Sequence, residues 1–479
     1  MAKFNQTVST RTVNNEGHAA YSMQPKTKLI TQVLCSFFDE EKFYSKSDKQ
    51  AICETVQAVI KTDPQFVSNL ALFARREFNM RSVSHVLTCF LANVNEGKPH
   101  VRDTVRGVVL RGDDATEILS FYLSEFGKPI PNSLRRALRD VLSTFDAYTL
   151  AKYKGEGRAV KMRDLLRICR PHPDTDEQSA MWKQLLDGTL PPAYTWETEL
   201  SANGNNKETW EKLIDSGKVG YMALLRNLRN IIEAKPDNLD AVLQKLSDNE
   251  AVKHSHQLPF RFLSAYKNLP ANAGKKVMDA LENAVAAACE NVPKLPGRTV
   301  IAVDVSGSMS SNVSAKSEIR CCEIGMMLGM IANRICDDAI FYTFNNRISQ
   351  KQIPSAGILY STANEAMSYG GTDMNLPFTQ MLTDKIRCER IIIISDNECN
   401  SHSRFWSPVQ TLADQYRKES GNDIWVHAID LMGYGTQQFS GPKTNIIAGW
   451  SEKVFDFILL AEHGEGTLEK RIAEYQWDS

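Results

Sequence analysis

The sequence predicts a multidomain protein in which an α-helical region precedes an α/β region with a doubly wound, mostly parallel sheet. A chain of 479 residues is too long for one ordinary hydrophobic core. From Lys28 to about Asn291, apolar residues recur at spacings of three and four, which is the period of helices. After the proline-rich and glycine-containing segment 291–297, strand-length apolar runs alternate with amphipathic helices, as in a parallel sheet covered on both faces.

The amino-acid composition indicates a folded globular protein and gives no sign of a membrane span, a secretory leader or structural zinc. Hydrophobic residues make up 42% and charged residues 24% of the chain, as in folded globular proteins. The apolar run Ile391–Ile394 is far too short to span a membrane, and the first residues lack the apolar core of a secretory leader. Ten scattered cysteines include no CxxC pair that would indicate structural zinc. We therefore expect a cytoplasmic protein without a membrane partner.

The helical region predicts an irregular stack of helix pairs. About twenty polar, aperiodic residues precede it and predict an arm or a poorly ordered lead. Short breaks at 97–99, 127–129 and 191–192 separate segments of helical-hairpin size, and no strict repeat is present. Such a stack presents one long curved surface rather than a deep catalytic pocket. Helix starts are predicted at Ser47, Asp63, Asp113 and Asn132.

The α/β region opens with a buried strand at Thr299–Val303. The elements predicted after it, in chain order, are helix 317–334, strand 339–344, helix 376–383, strand 390–394, helix 409–418, strand 423–429 and a final helix 467–477. We expect the final helix to pack back on one of the two regions.

Three oxygen-bearing segments follow predicted strands or lie in a glycine-rich loop. They are Asp304-Val305-Ser306-Gly307-Ser308, then Gly370-Gly371-Thr372-Asp373, and Ser395-Asp396. Ligands of doubly wound sheets collect at the carboxyl ends of the strands. Two carboxylates and three hydroxyls form a hard, all-oxygen set that suits Mg²⁺ or Mn²⁺.

This constellation resembles the metal-ion-dependent adhesion site of von Willebrand factor A domains, which have a Rossmann-like fold. The DxSxS motif is intact as Asp304, Ser306 and Ser308, and the loop threonine and later aspartate match Thr372 and Asp396. The resemblance implies that the hydroxyls contact the ion directly and the aspartates act mainly through waters. A haloacid-dehalogenase phosphatase would need a second aspartate where Ser306 stands, and no GxxxxGK[ST] loop is present.

The whole chain has a net charge of −1, but one of its segments is strongly positive. From Leu134 to Arg170 the sequence has ten Lys and Arg residues against four Asp and Glu residues. One helix face there is apolar, which leaves the arginines to solvent. Such a surplus suits RNA phosphates, although an ordinary solvated helix face has the same composition. The candidate residues are Arg135, Arg136, Arg139, Lys152, Lys154, Lys161, Arg163, Arg167, Arg170 and His172.

A second candidate is the segment Met222–Ile231. Leu224, Leu225, Leu228, Ile231 and Ile232 form an apolar stripe, and Arg226, Arg229 and Asn230 form a polar one on the opposite side. This ridge is suited to a sugar-phosphate backbone, and it is equally suited to capping neighbouring helix ends.

These segments resemble the TROVE domain of the Ro autoantigen family. The resemblance lies in Met222–Ile231, Leu258-Pro259-Phe260-Arg261-Phe262 and Arg163-Asp164-Leu165-Leu166-Arg167, and a von Willebrand A domain directly after them is the Ro layout. The family implies a ring of HEAT-like helical repeats closed by the A domain. The resulting domains are an arm at 1–22, a TROVE domain at 23–292 and an A domain at 293–479.

The resemblance also implies a function without catalysis. Small noncoding Y RNAs would bind the basic outer surface, at Lys161, Arg163, Arg167, Arg170 and His172. Single-stranded ends of misfolded RNA would enter a central hole near Arg226, Asn227, Arg229 and Arg261. Such a protein is expected to be a monomer that acts in RNA quality control or tethers a 3′-to-5′ exoribonuclease. The alternative is a metal-dependent protein-binding scaffold in which the A domain grips an acidic residue of a partner.

Overall fold

The computed structural model describes residues 11–14, 18–35, 46–255, 257, 259–290, 292–312, 319–354, 357–366, 368–399, 409–449, 452–463 and 468–477. These residues fall into two compact units. The sheet-containing unit lies within Met1–Asp39 and Asn203–Leu468, and the all-helical unit lies within Glu40–Ala202 and Glu469–Ser479. The predicted combination of a helical region with an α/β region is confirmed. The predicted domain boundaries stay a prediction.

Helices dominate the described part of the chain. In chain order they are α1 (Pro25–Leu34), α2 (Lys46–Thr62), α3 (Pro64–Arg76), α4 (Ser82–Asn93), α5 (Val101–Val108), α6 (Gly112–Glu125), α7 (Asn132–Leu142), α8 (Ala147–Lys152), α9 (Met162–Cys169), α10 (Asp176–Asp187), α11 (Trp196–Asn203), α12 (Lys207–Asp215), α13 (Tyr221–Arg226), α14 (Leu228–Ala234), α15 (Leu239–Ser247), α16 (Asn249–Ser255), α17 (Pro259–Lys267), α18 (Lys275–Glu290), α19 (Cys321–Ile335), α20 (Ile358–Glu365), α21 (Asn375–Thr383), α22 (Val409–Ser420), α23 (Asp456–Glu462) and α24 (Leu468–Ala473). Short 3-10 helices lie at Asn95–His100, Ser308–Ser310 and Glu452–Phe455. Within the described ranges, no helix has the length and apolar character needed to cross a bilayer.

The all-helical unit contains α2 to α10, nearly all of α11 and most of α24. Asp63 caps α3 by accepting a hydrogen bond from the backbone N–H of Phe66 at 3.1 Å, as its predicted position at a helix start requires. The buried Asp114 carboxylate of α6 accepts from Arg75 Nη2 of α3 and from the backbone N–H of Leu110, both at 3.0 Å. This carboxylate therefore fixes the turn that enters α6.

The C-terminal segment packs on α3 within the all-helical unit. Asn69 Nδ2 donates to the carbonyl of Ala473 at 2.8 Å, and the guanidinium of Arg76 lies 4.4 Å from the ring centre of Trp477. The predicted final helix is thus present as α24. Its predicted first residue, Thr467, lies outside the described residues, as do Ser317, Leu258 and the first ten residues of the arm.

The sheet-containing unit is built on six strands in the order β5-β4-β3-β6-β7-β9. The strands are β3 (Leu295–Asp304), β4 (Cys336–Phe344), β5 (Ile348–Lys351), β6 (Arg390–Ser395), β7 (Trp425–Asp430) and β9 (Thr444–Ala448). All neighbours are parallel except β4 and β5. After β3, the chain adds β4 and β5 on one side of β3 and then crosses over to add β6 on the other side. The strand order therefore reverses at β3, which is the topological switch point of the sheet.

Strand β3 begins earlier than the sequence predicts. Leu295 already pairs with Cys336, and a register shift separates it from the regular pairing that starts at Arg298. Pro296 and Gly297 lie between them and explain the irregular pairing. Proline has no N–H to donate to the neighbouring strand, and Gly297 has a positive φ of 81°.

Of the two alternatives predicted for the first residues, an arm or a poorly ordered lead, the second is wrong for the part that the structure describes. β1 (Arg11–Val13) and β2 (Ala19–Ser22) form an antiparallel hairpin, and β2 also pairs with β8 (Thr436–Gln437). Tyr21 lies opposite Gln437 in that pairing. The strands have only three and four residues, so their order comes from a distant partner rather than from their own periodicity.

Candidate functional site

Three loops meet at the carboxyl edge of the sheet, beside the switch point. Val303 of β3 pairs with Ile394 of β6, so the residues that follow each strand start side by side. The N–H of Gly307 donates to the carbonyl of Gly370 at 2.8 Å, which joins the first loop to the glycine-rich loop. The prediction that these segments lie together agrees with this geometry, and the first and third do follow strands. The glycine-rich loop 370–373 instead lies between α20 and α21, so its predicted place at the end of a strand is wrong.

The five predicted metal-site residues lie in these loops. Asp304, Ser306, Thr372 and Asp396 are buried, and Ser308 is half-buried. Asp304 Oδ1 accepts from the N–H of Ser306 at 2.8 Å, and the hydroxyls of Ser306 and Ser308 lie 3.1 Å apart. The DxSxS segment therefore turns back on itself and places its carboxylate beside two hydroxyl oxygens.

The donor set fits a hard divalent cation. Asp304 Oδ2 and Asp396 Oδ2 are shielded from solvent, and burying carboxylates is costly unless positive charge compensates them. Among the described residues, no group of three or more His, Cys, Asp or Glu side chains is arranged to hold a metal. A metal here would consequently need the hydroxyls of Ser306, Ser308 and Thr372 as well as the carboxylates.

Two further carboxylates lie at the same edge. Glu398 follows Asp396 in the third loop and is buried. Asp430, which the sequence analysis missed, ends β7 opposite Ser395 of β6. Burial, with the negative charges of Asp396 and Glu398 among its neighbours, raises the pKa of Tyr434. Asp430 directly follows the predicted strand 423–429, and this position could have marked it as a candidate site residue in the sequence.

In the all-helical unit, the basic segment is largely exposed. Arg135, Arg136, Lys152, Arg167, Arg170 and His172 are exposed, and Arg139, Lys154, Lys161 and Arg163 are half-buried. Helix α7 buries Leu134, Ala137, Leu138 and Val141, which confirms its predicted apolar face.

Some of the predicted RNA-binding cations already have a structural partner. Arg139 Nε donates to the carbonyl of Cys169 at 2.8 Å, and Lys154 Nζ donates to that of Leu190 at 2.5 Å. Lys161 Nζ lies 2.8 Å from Glu156 Oε2. Arg139 is thus only partly available to solvent, although its position on the polar face of α7 suggested full exposure.

Arg167 and Arg170 line one groove between α9 and α10. Its volume is about 700 Å³, and Trp182 and Lys183 of α10 form part of its wall. Arg167 and Lys183 are exposed, whereas Trp182 is buried and supports the groove. Lys183 was missed by the sequence analysis because α10 has no local surplus of positive charge.

The second predicted set lies in the sheet-containing unit. Asn227 separates α13 from α14, so the segment is two short helices rather than one, and their buried leucines and isoleucines confirm the apolar stripe. The Asn227 amide is buried and donates to the carbonyl of Ala223 at 2.9 Å, which is a structural role. Arg226 and Arg229 are exposed, and Arg229 pairs with Glu233 at 2.9 Å. Burial and the nearby charge of Arg226 lower the pKa of Arg261.

Several cysteines and one histidine that could suggest reactive or metal-binding groups have packing roles. Cys399 belongs to the core of the sheet-containing unit, and its carbonyl accepts from Asn14 Nδ2 at 3.1 Å. Cys321 and Cys322 are buried in α19. His254 Nδ1 lies 2.7 Å from the carbonyl of Glu250, within α16.

Family models match most of the chain. The TROVE domain model matches residues 16–189 and 176–305, and the Ro60 vWA domain model matches residues 298–437. Taken together, the two TROVE ranges cover more than half of the chain. The TROVE and vWA domains follow each other in the predicted order.

Individual relatives are distant. The chain is 25% identical to the RNA-binding protein RO60 of Deinococcus radiodurans over 448 residues, which cover 80% of this chain and 83% of that protein. It is 27% identical to telomerase protein component 1 of Rattus norvegicus over 335 residues, which cover 52% of this chain but only 13% of that protein. The crystal structure of the Deinococcus radiodurans Ro (RSR) protein superposes with a TM-score of 0.63 at 20% identity, over 94% of this chain and 99% of that chain. At this identity the superposition shows a shared fold.

Proposed function

Since this chain belongs to the TROVE-domain family and carries a Ro60-type von Willebrand A domain, we propose that it is an RNA-binding protein. The observation that carries the proposal is the groove of the all-helical unit in which Arg167, Arg170 and Lys183 lie together. The names of the RO60 relatives in Deinococcus radiodurans and Caenorhabditis elegans, both RNA-binding proteins, support it.

The groove suits phosphates for an electrostatic reason. Arg167 has only a loose ion pair with Asp164, at 3.8 Å, in which the arginine is largely and the aspartate partly exposed. Such an exposed pair contributes little stability, so a phosphate can replace the aspartate at small cost. Each phosphate bound this way releases condensed counterions, and this release drives association.

Salt dependence tests the proposal directly. Binding of a hairpin RNA with a single-stranded tail to the full chain should weaken as salt rises, with a log–log slope of about −0.7 to −0.9 per phosphate contact. Affinity that stays constant between low and moderate salt would exclude binding through these cations.

A finer proposal follows from the Ro family. We propose that Y RNA binds along Lys161, Arg163, Arg167, Arg170 and His172, and that unpaired ends of misfolded RNA contact Arg226, Arg229 and Arg261. The chain would act without catalysis, as a monomer, in RNA quality control or as the tether of a 3′-to-5′ exoribonuclease. Sequencing the RNA that copurifies with the protein from its native cell tests this: recovery of bulk messenger RNA alone would contradict it.

We also propose that the A domain binds Mg²⁺ or Mn²⁺ through the hydroxyls of Ser306, Ser308 and Thr372, with Asp304 and Asp396 nearby. The buried, all-oxygen edge of the sheet supports this. A bound ion with an open position would accept a carboxylate, which favours metal-dependent protein binding as a second function. If EDTA releases a protein partner and leaves RNA binding intact, the two functions are separate.

A further inference from the structure

We infer that a cavity between α5, α6 and α8 of the all-helical unit holds one unpaired RNA nucleotide, with its base on Tyr148 and Tyr153 and its phosphate on Arg106. The inference rests on the proposed RNA binding and adds a second, separate site to it. The cavity has a volume of about 500 Å³, within the range of roughly 300–1,000 Å³ that is usual for small-ligand pockets.

Two tyrosine rings form one side of this cavity. Tyr148 is 49% exposed, which is unusual for a large ring, and Tyr153 is half-buried. Lys152 Nζ lies 5.5 Å from the centre of each ring and brings positive charge to both. Exposed aromatic faces next to cations are the surfaces on which unpaired bases stack, since every base has a π-face.

A glycine allows Tyr153 to lie this close to the start of α6. A Cβ atom on Gly112 would stand 2.8 Å from Cδ2 of Tyr153 and 2.7 Å from Cγ2 of Thr149, closer than side-chain carbons pack. The ring of Tyr153 is therefore held against the backbone of the turn whose geometry Asp114 fixes, and the stacking surface is preorganised.

Arg106 supplies the phosphate contact. It is exposed, lines the cavity and, among the residues that the structure describes, has no ion-pair or hydrogen-bond partner for its guanidinium. The other charges of the cavity are already balanced. Arg111 pairs with Asp113 at 3.1 Å and lies over the Tyr153 ring, and Asp140 pairs with Arg102 at 2.6 Å.

Together these features favour a nucleotide over an acidic peptide. A carboxylate would use the arginine but could not stack on the exposed ring of Tyr148. A nucleotide matches both, because it joins a flat base to a phosphate through a sugar.

The test uses the full chain and two RNAs: a blunt hairpin, and the same hairpin with a single-stranded tail that carries 2-aminopurine at successive positions. Wild-type protein should quench the fluorescence at one tail position. Tyr148→Ala should abolish that quenching and weaken binding of the tailed hairpin by roughly 5- to 100-fold, the range expected for loss of one stacked base. Arg106→Gln should reduce the salt slope by about 1.

Tyr194→Ala is the matched control, because Tyr194 is 46% exposed in the same unit and lies outside the cavity. This variant should bind both RNAs like the wild type. If the wild type binds neither RNA, the proposed function itself fails. If it binds both, and Tyr148→Ala binds and quenches the tailed hairpin like the wild type, the nucleotide site is overturned while the proposed function stands.

Discussion

The Glu462 carboxylate lies 3.1 Å from His427 Nε2, inside the sheet-containing unit. Arg390 donates to the same carboxylate from Nε at 2.6 Å and from Nη2 at 2.8 Å, and Asn445 Nδ2 lies 3.2 Å from the other ring nitrogen of His427. A neutral imidazole with its proton on Nε2 satisfies both contacts. These side chains connect α23 to the β6, β7 and β9 strands at the edge opposite the candidate metal site.

Glu462→Gln should destabilise the protein by about 3 to 5 kcal/mol at neutral pH, because it leaves the buried Arg390 without its charged partner. Burial raises the pKa of Glu462, but hydrogen bonds from His427 and Arg390 outweigh it and lower the pKa from 4.5 to about 2. The stabilising contribution is therefore complete above about pH 4.5 and declines as the pH falls towards 2. Urea denaturation across this range should show the variant approaching the wild type at acidic pH. A gap that does not change with pH would contradict this assignment.

Gly107→Ala should destabilise the all-helical unit by about 1 to 3 kcal/mol. The added Cβ would meet Leu72 Cδ2 at 2.1 Å and Trp477 Cε2 at 3.0 Å, so the C-terminal segment would have to move. Arg106→Ala, at the adjacent exposed position of α5, is the control and should change stability by less than about 0.5 kcal/mol. Thermal unfolding with Trp fluorescence measures both. Equal stability of the two variants would contradict the close packing of Leu72 and Trp477 against Gly107.

Charge reversal in the groove should weaken RNA binding strongly. The double variant Arg167→Glu with Lys183→Glu should lower affinity about tenfold or more at moderate salt and reduce the salt slope by about 2, since two phosphate contacts are lost. The matched control is Lys275→Glu with Lys276→Glu, two exposed lysines of α18. Filter binding or fluorescence anisotropy provides the measurement, and equal losses in both double variants would mean that only net charge matters.

Magnesium should stabilise the wild type and leave Asp304→Asn unaffected. Binding to the folded state alone adds about 2.7 kcal/mol when the free ion is a hundredfold above its Kd. In EDTA the variant should be at least as stable as the wild type, because it removes a buried charge that no ion then offsets. Asp423→Asn, at an exposed carboxylate paired with Lys443, serves as the control. A thermal shift by Mg²⁺ that survives in Asp304→Asn would place the ion elsewhere.

The strands that end at the candidate metal site were predictable from sequence because they are buried on both faces. The run Arg390–Ser395 is buried throughout, so its apolar residues are continuous and bounded by polar ones. The same reasoning located Asp304 and Asp396, since each directly follows such a run. The matches to the TROVE and Ro60 vWA models confirm the predicted resemblance.

Features that depend on distant contacts were not predictable. The cavity of the all-helical unit joins Arg106, Tyr148 and Trp477, which no local pattern brings together. Asn227 has the polarity of a binding residue, but a helix break turns its amide inward. A residue's charge and polarity can be read from the sequence, but its burial depends on which distant residues pack against it in the folded chain.

The pairing of β2 with β8 has a consequence for biosynthesis. Tyr21 is opposite Gln437, so the β1–β2 hairpin leaves the ribosome long before its partner strand is synthesised. The residues between them include Glu40–Ala202, the larger part of the all-helical unit, which can begin to pack meanwhile, although the unit is complete only when Glu469–Ser479 has been made. Translation should therefore yield a nascent chain with a partly packed helical region and an unpaired edge on β2, a state exposed to aggregation and to chaperones.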